Sequence, residues 1–288
     1  MLPDSYFIHP EDQKAMNIMK AVPGFDILVK KFMNVGYETL LHGLNMASKI
    51  RLSDTQLPEL YHRVTRICNK FEIPCPEVYL EMSPFPNAGT YGDTQVFMSL
   101  TSGLFDYLDD DEIDSVIAHE CGHILCHHVL YHTLAELLRT GMIGLIGNLA
   151  EPLKLPLYYW ERKSELSADR ASALACGTDT VVRTQLRLAG GPKSLTGQVN
   201  IEEWARQAEQ YEEIRNGRTW DKLLQAAAVM SEDHPYAAVR VREALNWSKT
   251  EEYRIAREYL EGKVNLCPHC GQRVDPSWAY CKHCGNKL

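Results

Sequence analysis

The stretch His119-Glu120-Cys121-Gly122-His123 decides the fold class, because its spacing suits one kind of metal site. Residues four apart lie one above the other on a helix, so both imidazoles can reach a single ion. Glu120 points sideways, toward a water molecule held by that ion. Zinc lowers the pKa of such a water toward ~7, and Glu120 would take its proton during attack on a peptide carbonyl. The pattern predicts a hydrolytic zinc centre, buried behind the largely apolar residues 115–118.

A catalytic zinc ion needs a third protein ligand and an open fourth position. His127 lies about 6 Å further along a straight helix and cannot converge on the same ion. We interpret it, with His128 and His132, as solvated or as a neighbour of the ligands. Glu165 and Asp169 are four apart on a second predicted helix and share one face. Glu165 is therefore the predicted third ligand, and Asp169 the acceptor for a ring N–H of a zinc-binding histidine. The alternative is an exposed helix with surface ion pairs.

A second metal site is predicted near the C-terminal end, at Cys267, Cys270, Cys281 and Cys284. A glycine follows each Cys-x-x-Cys pair and permits the positive φ that a tight metal knuckle requires. Four thiolates around tetrahedral zinc form a closed, structural site, and in so short a tail the metal would supply the folding free energy. We therefore expect one catalytic and one structural Zn²⁺, and interpret this zinc ribbon as a docking or substrate-recruiting module.

The composition is typical of a globular protein, with 45% hydrophobic and 24% charged residues among 288. A net charge of −8 argues against a chain built mainly to bind nucleic acid. The first residues lack the basic and apolar regions of a signal peptide. The longest weakly polar stretch, residues 141–150, is shorter than the ~20 apolar residues of a membrane-spanning helix. We expect a soluble, cytoplasmic protein with no transmembrane segment and no nucleic-acid partner.

Apolar spacing predicts a mainly helical chain with two short strands, at residues 78–80 and 95–100. Residues 87–92 form a predicted bend between them. Asp109 and Glu112 have the form of a capping box at the start of the helix that carries His119. A small antiparallel sheet in a helical chain indicates the α+β class. Helices are predicted at residues 11–20, 26–50, 57–71, 109 onward, 164–176, 200–215, 220–230, 236–246 and 251–260.

Taken in order, these motifs resemble the zinc metallopeptidase family that contains the CAAX prenyl proteases and the HtpX-like heat-shock proteases. The resemblance covers roughly residues 58–247, and the order of the motifs is more specific than the HExxH pattern alone. The matching pieces are Asn87-Ala88 before a short strand, residues 108–112, residues 116–123, residues 162–169, and His234-Pro235-Tyr236 followed by Arg240.

The resemblance implies a zincin-like fold in which His119, His123 and Glu165 bind zinc and Glu120 is the base. It also implies that substrate adds as a β-strand along Asn87, Ala88 and the segment that follows. His234 would donate a hydrogen bond to the developing oxyanion, and Arg240 would brace the site. The alternative for His234 is a plain turn that begins a helix.

The resemblance has one departure, because family members carry transmembrane helices and none is predicted here. Residues 133–160, which are rich in apolar and aromatic residues, have four interpretations. These interpretations are an apolar lid, a substrate groove, a peripheral membrane contact or core packing. We favour core packing. The predicted domains are an N-terminal helical segment at 1–57, a metallopeptidase domain at 58–262 and the four-cysteine zinc ribbon at 263–288.

The leading functional hypothesis is a zinc endopeptidase that acts on a polypeptide bound in extended form. A second hypothesis is a catalytically silent zinc-binding scaffold or adaptor that uses the cleft and the ribbon. Intact Glu120 argues against it, because a scaffold has no need of the base. A third hypothesis, a nucleic-acid binder driven by the ribbon, is weakened by the slight positive charge of residues 264–288.

Overall fold

A computed structural model of the chain describes residues 2–33, 36–140, 151–215 and 236–288. This part is mainly helical with a small sheet, and the prediction of the α+β class is confirmed. The longer helices are α1 (Pro10–Lys20), α2 (Phe25–Met33), α3 (Tyr37–Ser48), α4 (Pro58–Lys70), α6 (Asp110–Leu125), α7 (Val129–Arg139), α8 (Glu151–Cys176), α9 (Thr178–Gly190), α11 (Ile201–Arg215), α12 (Ala237–Trp247) and α13 (Glu251–Leu260). The short helices are α5 (Gly103–Tyr107) and α10 (Lys193–Thr196), and a 3₁₀ turn spans Asp4–Tyr6. The strands are β1 (Ile50–Arg51), β2 (Glu77–Glu81), β3 (Ala88–Gly92), β4 (Val96–Thr101), β5 (Asn265–Leu266) and β6 (Arg273–Val274).

The main sheet has the strand order β1-β2-β4-β3, which leaves β3 at an edge. Strands β2 and β4 are parallel, so the prediction of an antiparallel sheet was wrong. The β3–β4 hairpin places β4, rather than β3, beside β2, and β4 then runs in the same direction as β2. The predicted bend at residues 87–92 was also wrong, because Ala88 to Gly92 pair with β4. Two glycines in this five-residue segment hide its strand character from a propensity argument.

Helices α6 and α8 cross at the centre of the molecule, and small residues let them approach. A Cβ on Gly122 would lie 2.8 Å from Cβ of Ala171 and 2.9 Å from Cα of Ala168. Two turns of helix away, the hydroxyls of Ser115 and Ser172 lie 2.8 Å apart. This close approach places the two helices' polar side chains within reach of each other.

A second apolar core lies between α1, α2, α7 and α8. Core packing, the favoured interpretation of residues 133–160, fits the buried apolar side chains of this stretch, whereas Leu155 is 61% exposed and residues 141–150 lie outside the described residues. The chain is already helical at Glu151 in α8, ahead of the predicted start at residue 164. The predicted helix at 26–50 is divided into α2 and α3, and the helix at 220–230 also falls outside the described residues. This second core contains Leu134, Leu137, Leu153, Leu157 and Trp160.

The N-terminal segment contacts both the main body and the ribbon. Phe7 is fully buried in the main core, and α1 packs along α8. The hydroxyl of Tyr6 donates a 2.8 Å hydrogen bond to the carbonyl of Gly271 in the ribbon. The division of the chain at residues 57 and 262 stays a prediction. No helix within the described ranges has both the length and the apolar character of a bilayer crossing.

Candidate metal centre

Helix α6 carries the HExxH residues and begins with the predicted capping box. The side chain of Asp109 accepts a hydrogen bond from the Glu112 backbone N–H at 3.1 Å, and the Glu112 carboxylate accepts from the Asp109 N–H at 3.0 Å. This prediction is confirmed. The cap fixes where the helix starts, and three turns later the side chains of His119, Glu120 and His123 are all buried.

Helix α8 brings Glu165 against both histidines. The Nε2 atoms of His119 and His123 are 3.3 Å apart, and each lies 3.4 Å from a different carboxylate oxygen of Glu165. Ligand atoms about 2.0–2.1 Å from a tetrahedral zinc ion lie about 3.3–3.4 Å from one another. The separation of the two ring nitrogens therefore fits one zinc ion, Glu165 places a carboxylate oxygen at a similar distance from each of them, and these donors are of the type zinc prefers.

Asp169 and Arg240 lie directly behind this group. Asp169 Oδ1 is 3.1 Å from Nδ1 of His119, the ring nitrogen that faces away from Glu165. Arg240 donates to both oxygens of Asp169 at 2.7 and 2.6 Å and lies 3.0 Å from Glu165. Burial by itself would raise the pKa of Asp169, but Arg240 and His119 lower it to about 2. An ionised Asp169 fixes the proton of His119 on Nδ1 and leaves Nε2 free to bind a metal.

Glu120 lies beside the sheet rather than among the three donors. Its Oε2 accepts a 2.7 Å hydrogen bond from the hydroxyl of Thr90 on β3. Both side chains are buried. The sequence contains no signal for this contact, because thirty residues separate the partners and threonine is common in strands.

The three histidines that follow the HExxH sequence divide into an exposed one and two that pack on the ligand group. Helix α6 ends at Leu125, and His127 has a positive φ of 56° and an exposed side chain. His128 is buried with its Nδ1 3.1 Å from Nδ1 of His123. The ring centroid of His132 lies 4.4 Å from that of His123. His127 is thus solvated, whereas His128 and His132 are neighbours of the ligand group.

The predicted substrate residues Asn87 and Ala88 lie at the start of β3. Two clefts, of about 540 and 390 Å³, are both lined by Asn87, Ala88 and Glu120. The backbone N–H of Ala88 donates to the Asn87 side chain at 3.0 Å. His234 lies outside the described residues, so its predicted role is untested.

The four ribbon cysteines converge as well. The Sγ atoms of Cys267 and Cys284 are 3.7 Å apart, and so are those of Cys270 and Cys281. Sulfur atoms about 2.3 Å from a tetrahedral zinc ion lie about 3.8 Å apart, so the four thiols fit one ion. The glycines after the two knuckles have φ of 72° and 76°, which confirms the predicted positive values.

Comparison with known proteins identifies two families in the chain. Residues 54–248 match peptidase family M48, and residues 266–288 match a zinc-ribbon domain. Plastoglobule-localized metallopeptidase 48 of Arabidopsis thaliana is 29% identical over 86% of this chain and 74% of its own length. The protease HtpX homologue of Thermodesulfovibrio yellowstonii is 33% identical over 37% of this chain and 38% of that protein. The HtpX homologue of a Nostoc species is 27% identical over 51% of this chain and 56% of its own length. No solved structure matches the chain.

The M48 match covers about two thirds of the chain and contains the HExxH helix, Glu165 and the edge strand β3. The predicted resemblance to the HtpX-like proteases is confirmed, as is zinc-dependent peptidase function, whose substrate is a polypeptide. The chain therefore belongs to peptidase family M48 and carries a C-terminal zinc-ribbon domain.

Proposed function

We propose that the chain is a zinc endopeptidase whose catalytic ion is bound by His119, His123 and Glu165, with Glu120 as the general base. The observation that carries this proposal is the convergence of two ring nitrogens 3.3 Å apart, each of which lies 3.4 Å from a carboxylate oxygen of Glu165. Glu120 follows His119 directly on α6 and is held by Thr90 at the side of the donor group. Three protein ligands leave one position of a tetrahedral zinc ion open, which is what a hydrolytic site requires.

The proposed chemistry needs one ion and several side chains. Zinc in this site would activate a water molecule and polarise the substrate carbonyl. Glu120 accepts the proton of the attacking water and delivers it to the leaving amine, a role worth about 10²–10⁴ in rate. Asp169 keeps the proton of His119 on Nδ1, and Arg240 balances the negative charge of Asp169 and Glu165. A hydrogen bond donated by His234 to the oxyanion stays part of the proposal.

The proposed substrate is an extended polypeptide added to the free edge of β3. Gly92 N–H donates to the Thr133 side chain on the side away from β4, while the Asn87 carbonyl accepts from β4. In an antiparallel pair these directions alternate, so the backbone groups of Ala88 and Thr90 point to the open edge. The Ala88 N–H is already bonded to Asn87, which leaves the Ala88 carbonyl and both Thr90 backbone groups for substrate. Main-chain pairing of this kind selects for extended conformation.

The ribbon is proposed to hold the second, structural zinc ion through Cys267, Cys270, Cys281 and Cys284. A docking or recruiting role for it, like the three-part domain division, stays a prediction. A cytoplasmic location, the lack of a nucleic-acid partner and a peripheral membrane contact by residues 133–160 also stay predictions. The name of the Arabidopsis relative places that protein at chloroplast plastoglobules.

A catalytically silent scaffold is the second candidate. It is disfavoured because Thr90 fixes the Glu120 carboxylate beside the donor group, and a binding site alone does not require an oriented base.

The test of the proposed function is hydrolysis of β-casein by the zinc-loaded full chain, compared with Glu120→Gln. We expect the wild type to cleave casein and the variant to lose at least about 10²-fold in rate while it retains zinc. Equal cleavage by both proteins, or no cleavage by the wild type, would contradict the proposal.

A further inference from the structure

The ring nitrogen of His123 that faces away from Glu165 contacts a second histidine rather than a carboxylate. His123 Nδ1 lies 3.1 Å from Nδ1 of His128, and His128 Nε2 lies 3.0 Å from Oδ2 of Asp12. His128 and Asp12 are each only 2% exposed. The contacts form a buried chain of three side chains that begins at helix α1 and ends at a proposed zinc ligand.

The direction of the protons in this chain follows from Asp12. The carboxylate accepts from the indole N–H of Trp160 at 2.9 Å and from the hydroxyl of Ser167 at 2.5 Å. Three donors surround this carboxylate, as suits an anion, and although burial raises the pKa of Asp12, its contacts with His128, Ser167 and Trp160 lower it overall. An anionic oxygen can only accept, and His128 must therefore carry a proton on Nε2.

When His128 is neutral, its proton on Nε2 leaves a lone pair on Nδ1. That lone pair accepts from His123 only if His123 carries its own proton on Nδ1. The Nε2 atom of His123, which faces His119 and Glu165, is then unprotonated, as metal binding requires. For His119 the corresponding acceptor is Asp169, so the two proposed ligands are fixed by different means.

We propose that Asp12, acting through His128, is a positioning residue that fixes the tautomer and orientation of His123 for zinc binding. Asp12 lies outside the residues that match the peptidase family, which begin at residue 54. The N-terminal helix α1 thus contributes to the metal centre from a position far before the HExxH helix in the chain. The inference rests on the proposed function in one respect, that His123 binds the catalytic zinc.

The direct test uses the wild-type full chain, labelled with ¹⁵N-histidine and loaded with zinc. Long-range ¹H–¹⁵N correlation spectra assign the protonated nitrogen of each ring. We expect the proton of His128 on Nε2 and that of His123 on Nδ1. A proton on Nδ1 of His128 would overturn the inference, and this measurement does not depend on whether any variant folds.

The second test compares the zinc affinity of Asp12→Asn with that of the wild type, by competition with a chromophoric chelator. The Trp160 N–H requires the amide oxygen, so the amide nitrogen faces His128 and forces its proton onto Nδ1. Loss of such a partner typically weakens metal binding about 10–100-fold, and we expect this for the catalytic site. Glu11→Gln is the matched control, because it removes the same charge from the neighbouring, partly exposed position of α1.

A rescue variant separates the loss of His128 orientation from a general disruption of the fold. In Asp12→Asn with Trp160→Phe, the amide oxygen is free to turn toward His128, and affinity should return to within about threefold of Trp160→Phe alone. If the wild type binds two zinc ions and the zinc affinity of Asp12→Asn is unchanged within about twofold, this inference is overturned and the proposed function is not. A wild type that binds only the ribbon zinc would overturn both this inference and the proposed function.

Discussion

The hydroxyl of Thr90 donates a 2.7 Å hydrogen bond to Oε2 of Glu120 and joins the edge strand of the sheet to the HExxH helix. The backbone of the same residue points to the open edge of β3, where we propose that substrate adds. One residue would therefore position both reacting partners, the base through its side chain and the peptide through its main chain. Catalysis would gain from this arrangement because small errors in position are costly.

Replacing Thr90 by valine should lower kcat for casein hydrolysis about tenfold, because Glu120 loses the bond that orients it. The substitution keeps the shape of the side chain, and the zinc content should not change. Thr90→Ser is the control, since it retains the hydroxyl and should stay within about threefold of the wild type. Equal rates for the valine and serine variants would show that the hydrogen bond has no role in catalysis.

Gly122→Ala should destabilise the protein by about 1–3 kcal/mol, because the new methyl group meets α8 at 2.8–2.9 Å. Gly43 lies within α3, and a methyl group there would have no atom of the described residues within 4 Å, which makes this position a matched control. Gly43→Ala should stabilise by about 0.5–1 kcal/mol. Urea denaturation of both variants measures the difference. A gain in stability from Gly122→Ala would contradict the close packing of α6 on α8.

Arg240→Met should cost about 3–5 kcal/mol in the zinc-free protein, since it leaves Asp169 and Glu165 buried without their counter-charge. Bound zinc would neutralise part of that charge, so the loss should be smaller in the zinc-loaded protein. Urea denaturation with and without zinc measures both values. Arg242→Met on the same helix is the control, and because its ion pairs are nearer the surface it should cost about 1 kcal/mol. Equal losses at the two positions would contradict the account of Arg240.

The parts of the site that the sequence predicted are those fixed by local spacing. His119 and His123 are about one helical turn apart, and so are Glu165 and Asp169. Each pair projects from one face of its helix. The capping box and the ribbon knuckles are likewise local, and their geometry follows from a few consecutive residues. Local patterns of this kind are set by backbone geometry before tertiary packing contributes.

The parts that the sequence did not predict depend on packing between distant segments. Thr90 lies on β3, whose glycines lower its strand propensity. Its contact with Glu120 exists only because β3 borders α6. Asp12 lies on a helix near the N-terminus, where an acidic residue normally faces solvent. Its burial against His128 and Trp160 depends on α1 packing along α8, which no spacing rule specifies.

The zinc content per chain tests the central claim most directly. Elemental analysis should find about two zinc ions in the wild type, and about one in Glu165→Ala, which lacks the proposed third ligand. Cys281→Ser should also hold about one, and its remaining ion should be the one that supports casein hydrolysis. A wild type with a single zinc ion, or a Glu165→Ala variant that keeps both, would contradict the assignment of His119, His123 and Glu165 as the catalytic metal site.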